Sequence, residues 1–414
     1  MGKCFSDPVE QALQYIYYNV RTGQGKEGFE LLEKASAAGD GDASCVLARC
    51  LCGYQYVWSG HKFPEDDARA TKLLHLSVEQ GSALGVLVAL RSGELTPSVQ
   101  KKMPFANLQE AFDVVHQKAE MGDAFCQYII GNCYFWWDFL RIQDKGRESF
   151  ASDAQFKAYL KENISKCEDW FWRALRGGIY HAGNNLNRYY EQGDEDIILP
   201  QPEKAKDIWR IGAEYGYPIH QYIYAKDLRE AKRYEEAMEW FKKAAEGGEP
   251  DVWFYIGEAY ENEKGVPKDL NYAVKCYEKG LAVSDNKVGC ANRLGAMYYD
   301  GNPMPKDYAK AFQLLSYAES EGSDWGVCYL GKCCFRGWGT QQDYAKARTY
   351  LEQVTWNNKE AFFMLGYIYG RGLGGVTADI KKGVEYLQKA GDNQEAKEEL
   401  LRYKKTLFGK WVLR

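Results

Sequence analysis

Apolar side chains recur every three or four positions along nearly the whole chain, which is the period of an amphipathic helix. The runs are short, and many close on glycine followed by a polar residue, as in Gly39-Asp40, Gly81-Ser82 and Gly122-Asp123. This pattern predicts a first helix over 8–20, a second ending at Gly39, and further helices over 42–53, 66–81 and 82–93. A polar insertion carrying Pro97 and Pro104 follows, and helices over 107–123 and 124–137 restore the rhythm. Residues 138–168 exceed an ordinary interhelical loop, and Phe156 to Leu175 reads as one long helix. Helices over 181–193 and 202–216 and a compressed pair within 217–248 lead into the most regular stretch.

Between Tyr234 and Ala390 one pattern returns four times. An apolar residue precedes glycine at Ile256-Gly257, Leu294-Gly295, Leu330-Gly331 and Leu365-Gly366, giving spacings of 38, 36 and 35 residues. Three residues on stands Tyr260, Tyr298 or Tyr369, with Cys334 in the remaining copy. A loop with Gly265, Gly301, Gly337 or Gly372 then leads to Asp269, Asp307, Asp343 or Asp379. Four positions beyond each Asp the residue is small (Ala273, Ala311, Ala347, Gly383). The seventh and eighth positions are bulky: Cys276-Tyr277, Leu314-Leu315, Tyr350-Leu351 and Tyr386-Leu387. Glycine inside the first helix costs about 1 kcal/mol of helix propensity, and close approach of a partner helix is the expected compensation. The loop glycines suit a left-handed C-cap, and the Asp suits the N-cap of a second helix. Each hairpin buries one face only, so a fixed period of this length predicts a stack of helical hairpins.

The pattern L-G-x-x-Y-x-x-G, a short loop, D-x-x-x-A, a bulky pair and K-A resembles the Sel-one-like repeat (SLR) family, relatives of the tetratricopeptide repeats. "RLGAMYYDGNPMPKDYAKAFQLL" and "YLGKCCFRGWGTQQDYAKARTYL" carry the resemblance most clearly. It implies an all-α fold, a right-handed α-solenoid of about ten stacked helix-turn-helix units, and a role as a non-catalytic adaptor for proteins or peptides. Ten second-type helices are expected, ending near Gly39, Gly81, Gly122, Gly177, Gly216, Gly247, Gly280, Gly322, Asn357 and Gly391. The organisation expected is degenerate repeats over 1–233 with an insertion at 138–168, four well-formed repeats over 234–391, and a capping helix and tail over 392–414. The cap helix is expected over Gln394–Thr406, with Leu407, Phe408 and Trp411 covering the last apolar face.

Composition narrows the chemistry. A net charge of −5 with mixed signs excludes a general nucleic-acid binder, and no apolar run reaches membrane-helix length. The N-terminus lacks a signal-peptide core. Met1-Gly2-Lys3-Cys4-Phe5-Ser6 fits an acylation pattern, but no polybasic cluster supplies a second membrane signal. The 12 cysteines lack a per-repeat spacing and a zinc-ligand pairing. They read as reduced, mostly buried residues of a cytoplasmic protein. Two G-x-G-x-x-G matches, at Gly23-Gly25-Gly28 and Gly370-Gly372-Gly375, lie between predicted helices rather than after a strand, so they are loop glycines. His61, His75, His116, His181 and His220 show no metal-ligand spacing, and no nucleophile elbow or P-loop occurs. No cofactor, metal or catalytic residue is expected.

In tetratricopeptide units the first helix lines the concave surface. Transferred here, that orientation puts the residues three before each landmark Gly, and one, four or five after it, on a partner-binding groove. These are Tyr128, Asn132, Phe135 and Trp136; Phe254, Glu258 and Glu261; Asn292 and Tyr299; Lys332, Phe335 and Arg336; and Phe363, Tyr367 and Arg371. Aromatic anchors interleaved with Asn, Lys and Arg suit a peptide held by stacking and by hydrogen bonds. The competing expectation is that Phe135, Phe254 and Phe363 are core. Two other functions stand beside the adaptor: a membrane-linked adaptor or secreted effector acylated at Gly2, and a small-molecule-binding or weakly hydrolytic solenoid.

Overall fold

The structure is a computed structural model describing residues 3–18, 24–53, 56–194, 196–354, 356–407 and 409–414. Gly2, Gly23 and Phe408 lie outside the described residues. The chain divides into two compact units, Met1–Glu249 and Pro250–Arg414. The division follows the helix that the repeat pattern places at the head of the regular array.

Among the described residues the first unit is built from six helical hairpins. They pair α1 (Asp7–Leu13, continued by a π-helical turn over Gln14–Tyr18) with α2 (Gly25–Ala37), and α3 (Gly41–Leu51) with α4 (Asp67–Glu79). Next, α5 (Ala83–Ser92) pairs, past the short α6 (Pro97–Gln100), with α7 (Leu108–Glu120). Then α8 (Ala124–Phe135), past α9 (Asp138–Ile142), pairs with α10 (Asp153–Arg176). The last two are α11 (His181–Gln192) with α12 (Pro202–Glu214) and α13 (Pro218–Glu230) with α14 (Tyr234–Glu246). The second unit holds four hairpins: α15 (Val252–Glu261) with α16 (Leu270–Val283), and α17 (Val288–Asp300) with α18 (Tyr308–Ser320). It continues with α19 (Val327–Arg336) and α20 (Tyr344–Glu352), then α21 (Lys359–Arg371) and α22 (Ile380–Lys389). It closes with α23 (Gln394–Leu400) and an antiparallel pair, β1 (Tyr403–Lys405) and β2 (Trp411–Leu413), in which Tyr403 faces Leu413. The architecture is all-α, an α-solenoid of helical hairpins.

The repeat landmarks have physical jobs. A Cβ added at Gly257, Gly295, Gly331 or Gly366 would lie 2.6–2.7 Å from Tyr277, Leu315, Leu351 or Leu387 of the paired second helix. The glycine is therefore a seat for the second member of the bulky pair, and Gly131 gives Phe171 the same seat on α10. Ala273, Ala311 and Ala347 are buried. Gly383 replaces Ala in the last copy because its own Cβ would lie 2.6 Å from the Gly370 Cα. Each Asp caps the helix it opens: Asp269, Asp307 and Asp379 accept from the amides of Tyr272, Lys310 and Lys382 at 2.9–3.0 Å, and Asp343 accepts from Lys346 at 2.9 Å. The backbone amides of the same residues donate to the carbonyls of Tyr260, Tyr298, Cys334 and Tyr369 at 2.9–3.0 Å. Because that contact uses the carbonyl, Cys334 can replace Tyr without altering the loop.

The insertion folds onto its own hairpin. The 24-residue α10 extends beyond α8, and its N-terminal turns carry Tyr159, whose ring meets Phe139 of α9 at 5.8 Å and Phe150 at 4.9 Å.

The C-terminus departs from expectation. The cap helix ends at Leu400 instead of Thr406, and the tail turns back as a hairpin. Tyr403 draws it inward, lying buried against Gly370, while Gly409 takes the left-handed conformation of the turn (φ 79°). Trp411 packs on the adjacent core, but Leu407 is fully exposed and covers nothing.

Candidate functional site: the first-helix layer

In both units the first helices of successive hairpins contact one another: α1 with α3, α3 with α5, α5 with α8, α8 with α11, α19 with α21, and α21 with the cap α23. Among the described residues no pair of successive second helices approaches as closely. The first helices are therefore the more closely packed layer within each unit.

Crowding decides the environment of the groove residues. Tyr128, Phe135, Glu258, Asn292, Tyr299, Phe335 and Phe363 are buried, and Asn132, Phe254, Glu261 and Tyr367 are half-buried. Trp136 is exposed, with the Arg188 guanidinium 4.6 Å from its ring centroid. Asn132 accepts from Asn185 of the next first helix at 2.7 Å, and Asn292 donates to Ser323 at 2.8 Å. Glu261 accepts from the Tyr277 hydroxyl and lies 3.7 Å from Arg293.

The three groove cations are matched by glutamates from the following first helices. Lys332 of α19 pairs with Glu360 of α21 at 2.5 Å, Arg336 of α19 with Glu395 of α23, and Arg371 of α21 with Glu399 of α23 through two bonds at 2.9 and 2.6 Å. Each cation also lies over an aromatic ring, as Arg371 does over Tyr367 at 4.1 Å. Half-buried, hydrogen-bonded pairs of this kind fix helix to helix more firmly than exposed ones.

Two concavities open on this layer. In the second unit a cleft of about 550 Å³ is lined by Trp325, Tyr329, Lys332, Gln353, Trp356 and Asn358, among others. Trp325 is 41% and Trp356 50% exposed. Trp325 stacks on Tyr329 with ring centroids 6.1 Å apart, and the Arg293 guanidinium lies 5.0 Å from the indole. In the first unit a cleft of about 470 Å³ is lined by Phe135, Trp136, Trp137, Arg188 and Asp194. Trp137 turns the chain there in a left-handed conformation (φ 67°), and its indole N–H donates to Asp194 at 2.6 Å. The helical register does not reach Trp325 and Trp356, which lie in the turns before α19 and α21. Their signal in the sequence is a large aromatic set among polar turn residues, in "GSDWG" and "TWNNK". Among the described residues no group of three His, Cys, Asp or Glu side chains could hold a metal ion.

The Sel1 repeat family profile matches six segments: residues 23–40, 214–249, 254–282, 289–323, 327–353 and 359–394. The chain is a Sel1-repeat protein. The last four Sel1 segments fall one on each hairpin of the second unit. Among solved structures the chain is similar to a protective antigen of uropathogenic Escherichia coli strains displaying an SLR fold. The identity there is 19%, over 94% of this chain and 78% of that one, with a TM-score of 0.50. A Sel1 repeat protein from Oxalobacter formigenes aligns at 24% identity over 56% of this chain and 97% of its own, with a TM-score of 0.40. Sel1 solenoids generally mediate protein–protein interaction and are generally non-catalytic scaffolds. Among the described residues no helix is long and apolar enough to cross a membrane.

Proposed function

We propose that this Sel1-repeat protein is a non-catalytic adaptor that holds an extended segment of a partner protein along its first-helix layer. One observation carries the reading. The cleft beside Lys332 presents two indoles, at Trp325 and Trp356, that the fold leaves half in solvent. Tryptophan is among the side chains enriched at interface hot spots, and large apolar groups clustered in a concavity mark docking surfaces. Gln353 on the wall offers polar contacts to the partner's backbone, while Lys332 is already matched by Glu360. Arg336 and Arg371, matched by Glu395 and Glu399, shape the groove without capturing charge. Trp136 with Arg188 supplies a second anchor of the same type in the first unit. The 12 unbridged cysteines support a reducing compartment, the cytoplasm.

Selection of a random peptide library on the immobilised protein tests this. Enriched peptides should bind the wild type and blue-shift tryptophan emission. They should lose at least about tenfold in affinity, about 1.4 kcal/mol, in Trp325→Ala/Trp356→Ala with unchanged circular dichroism. Full affinity in the double variant would move the site off this cleft.

A further inference from the structure

The first unit holds a cavity that peptide capture leaves unused. A pocket of about 200 Å³ opens between α3, α4 and α5, room for roughly six waters at about 30 Å³ each. Its walls are largely aliphatic, with Ala48, Ala70, Leu74 and Val88. Into this setting the fold places Arg49, which is only 4% exposed. The Arg49 Nε donates to the Tyr17 hydroxyl at 3.1 Å, while its Nη2 is buried with no acceptor. The guanidinium carbon lies 5.0–5.9 Å from the ring centroids of Tyr17, Tyr56, Phe125 and Tyr128. Among the described residues no carboxylate pairs with it. Aromatic faces attract a cation but accept its N–H groups only weakly, and a buried charge is ordinarily matched by an anion.

Arg91 is bound to Asp138, and Glu94 faces His75 at 3.3 Å. That leaves one cation, Arg49, and two wall carboxylates, Glu94 beside the His75 imidazole and the rim residue Asp67, which pairs with no cation among the described residues. A simple anion would sit facing Asp67 uncompensated, and a simple amine would leave Arg49 as it is. A small molecule bearing both charges and an aliphatic group satisfies all three surfaces. We propose that this pocket binds a free aliphatic α-amino acid, its carboxylate paired with Arg49, its ammonium with Asp67, and its side chain on the aliphatic wall.

Calorimetric titration of the full chain with L-alanine, L-valine, L-leucine, L-isoleucine and L-methionine tests the proposal. At least one should bind saturably, with its single-charge analogues, the amide and the deaminated acid, at least about tenfold weaker. Asp67→Asn, at an exposed position, should cost the amino acid about tenfold without touching the fold. Arg49→Met should abolish binding if the variant folds, and Asp67→Asn decides the matter if it does not. The bound amino acid should also slow alkylation of Cys52, a half-buried thiol on the same wall. No saturable binding by any of the five, equal binding of the amide, or undiminished binding in Asp67→Asn would overturn it.

Discussion

At Gly295 the helix backbone lies so close to Leu315 that any added carbon would fall within 2.7 Å of its Cγ. The branched leucine cannot swing away, because it is fully buried between two helices. Gly295→Val should therefore destabilise the second unit by about 1–3 kcal/mol, the usual range for overpacking, read as a drop in denaturation midpoint. Hydrogen exchange should rise first in α17 and α18, because coupling in a repeat array passes between neighbours. The capping aspartates make a milder case. Asp307→Ala removes an acceptor for the Lys310 amide but leaves its own backbone bond to the Tyr298 carbonyl intact. The expected loss is about 1 kcal/mol, with Asp307→Asn close to neutral. A loss near zero for the alanine variant would mean that the loop geometry, not the side chain, starts the helix.

The helices and their landmarks are legible in the sequence because each is a local demand. A left-handed loop end asks for glycine at Gly301 (φ 73°), a helix start asks for an acceptor at Asp307, and a close crossing asks for glycine at Gly295. The burial of the groove residues is not local. Phe335 and Phe363 meet with ring centroids 5.9 Å apart because α19 and α21 pack on each other, and that packing is written in no single repeat. The C-terminal hairpin escapes for the same reason, since Tyr403 is held by Gly370, far away in sequence. The cations at Arg336 and Arg371 carry the register expected of a groove, but their partners Glu395 and Glu399 come from the cap helix. These pairs act between elements. Glu399 is buried, so Arg371→Ala strips two bonds from a carboxylate that retains Arg402 at 3.5 Å. With that partial replacement and the solvent access of Arg371, a loss of about 1–2 kcal/mol is expected, below the 3–5 kcal/mol of a fully buried pair. Exchange should quicken in α23 and the β1–β2 hairpin before α15 or α16 responds. Uniform loosening would show that the cap is held by Tyr403 and Trp411 instead.

Across the whole molecule, titratable groups are unevenly shared. All five histidines lie in the first unit and none in the second. His220 is fully buried, with Gly183 and Gly212 leaving it room where α11 and α12 cross. Desolvation pushes its imidazole down to about 3, against a smaller upward pull from the Tyr180 backbone. Burial also lowers His61, and lowers His181 far more, with the nearby Arg49 charge adding to it. The sign follows from linkage. An unfolded histidine takes up a proton near pH 6.5, whereas the folded one stays neutral until far lower pH. The unfolded chain therefore binds more protons through this window, and stability is present above pH 6.5 and lost as pH falls toward 3. For His220 the loss between pH 7 and pH 5 is about 2 kcal/mol. Asp138, raised to about 6 by burial, works in the opposite sense over part of that range, and burial also raises Asp123 and Asp227 in the same unit. Hydrogen exchange at pH 7 and pH 5, corrected for intrinsic rates, should show residues 3–249 losing protection while residues 250–414 hold theirs. His220→Phe keeps the ring and removes the proton site, so in a folded variant the pH dependence of the first unit should flatten by the same amount. If both units lose protection together on acidification, carboxylates common to both, and not the buried histidines, control acid stability.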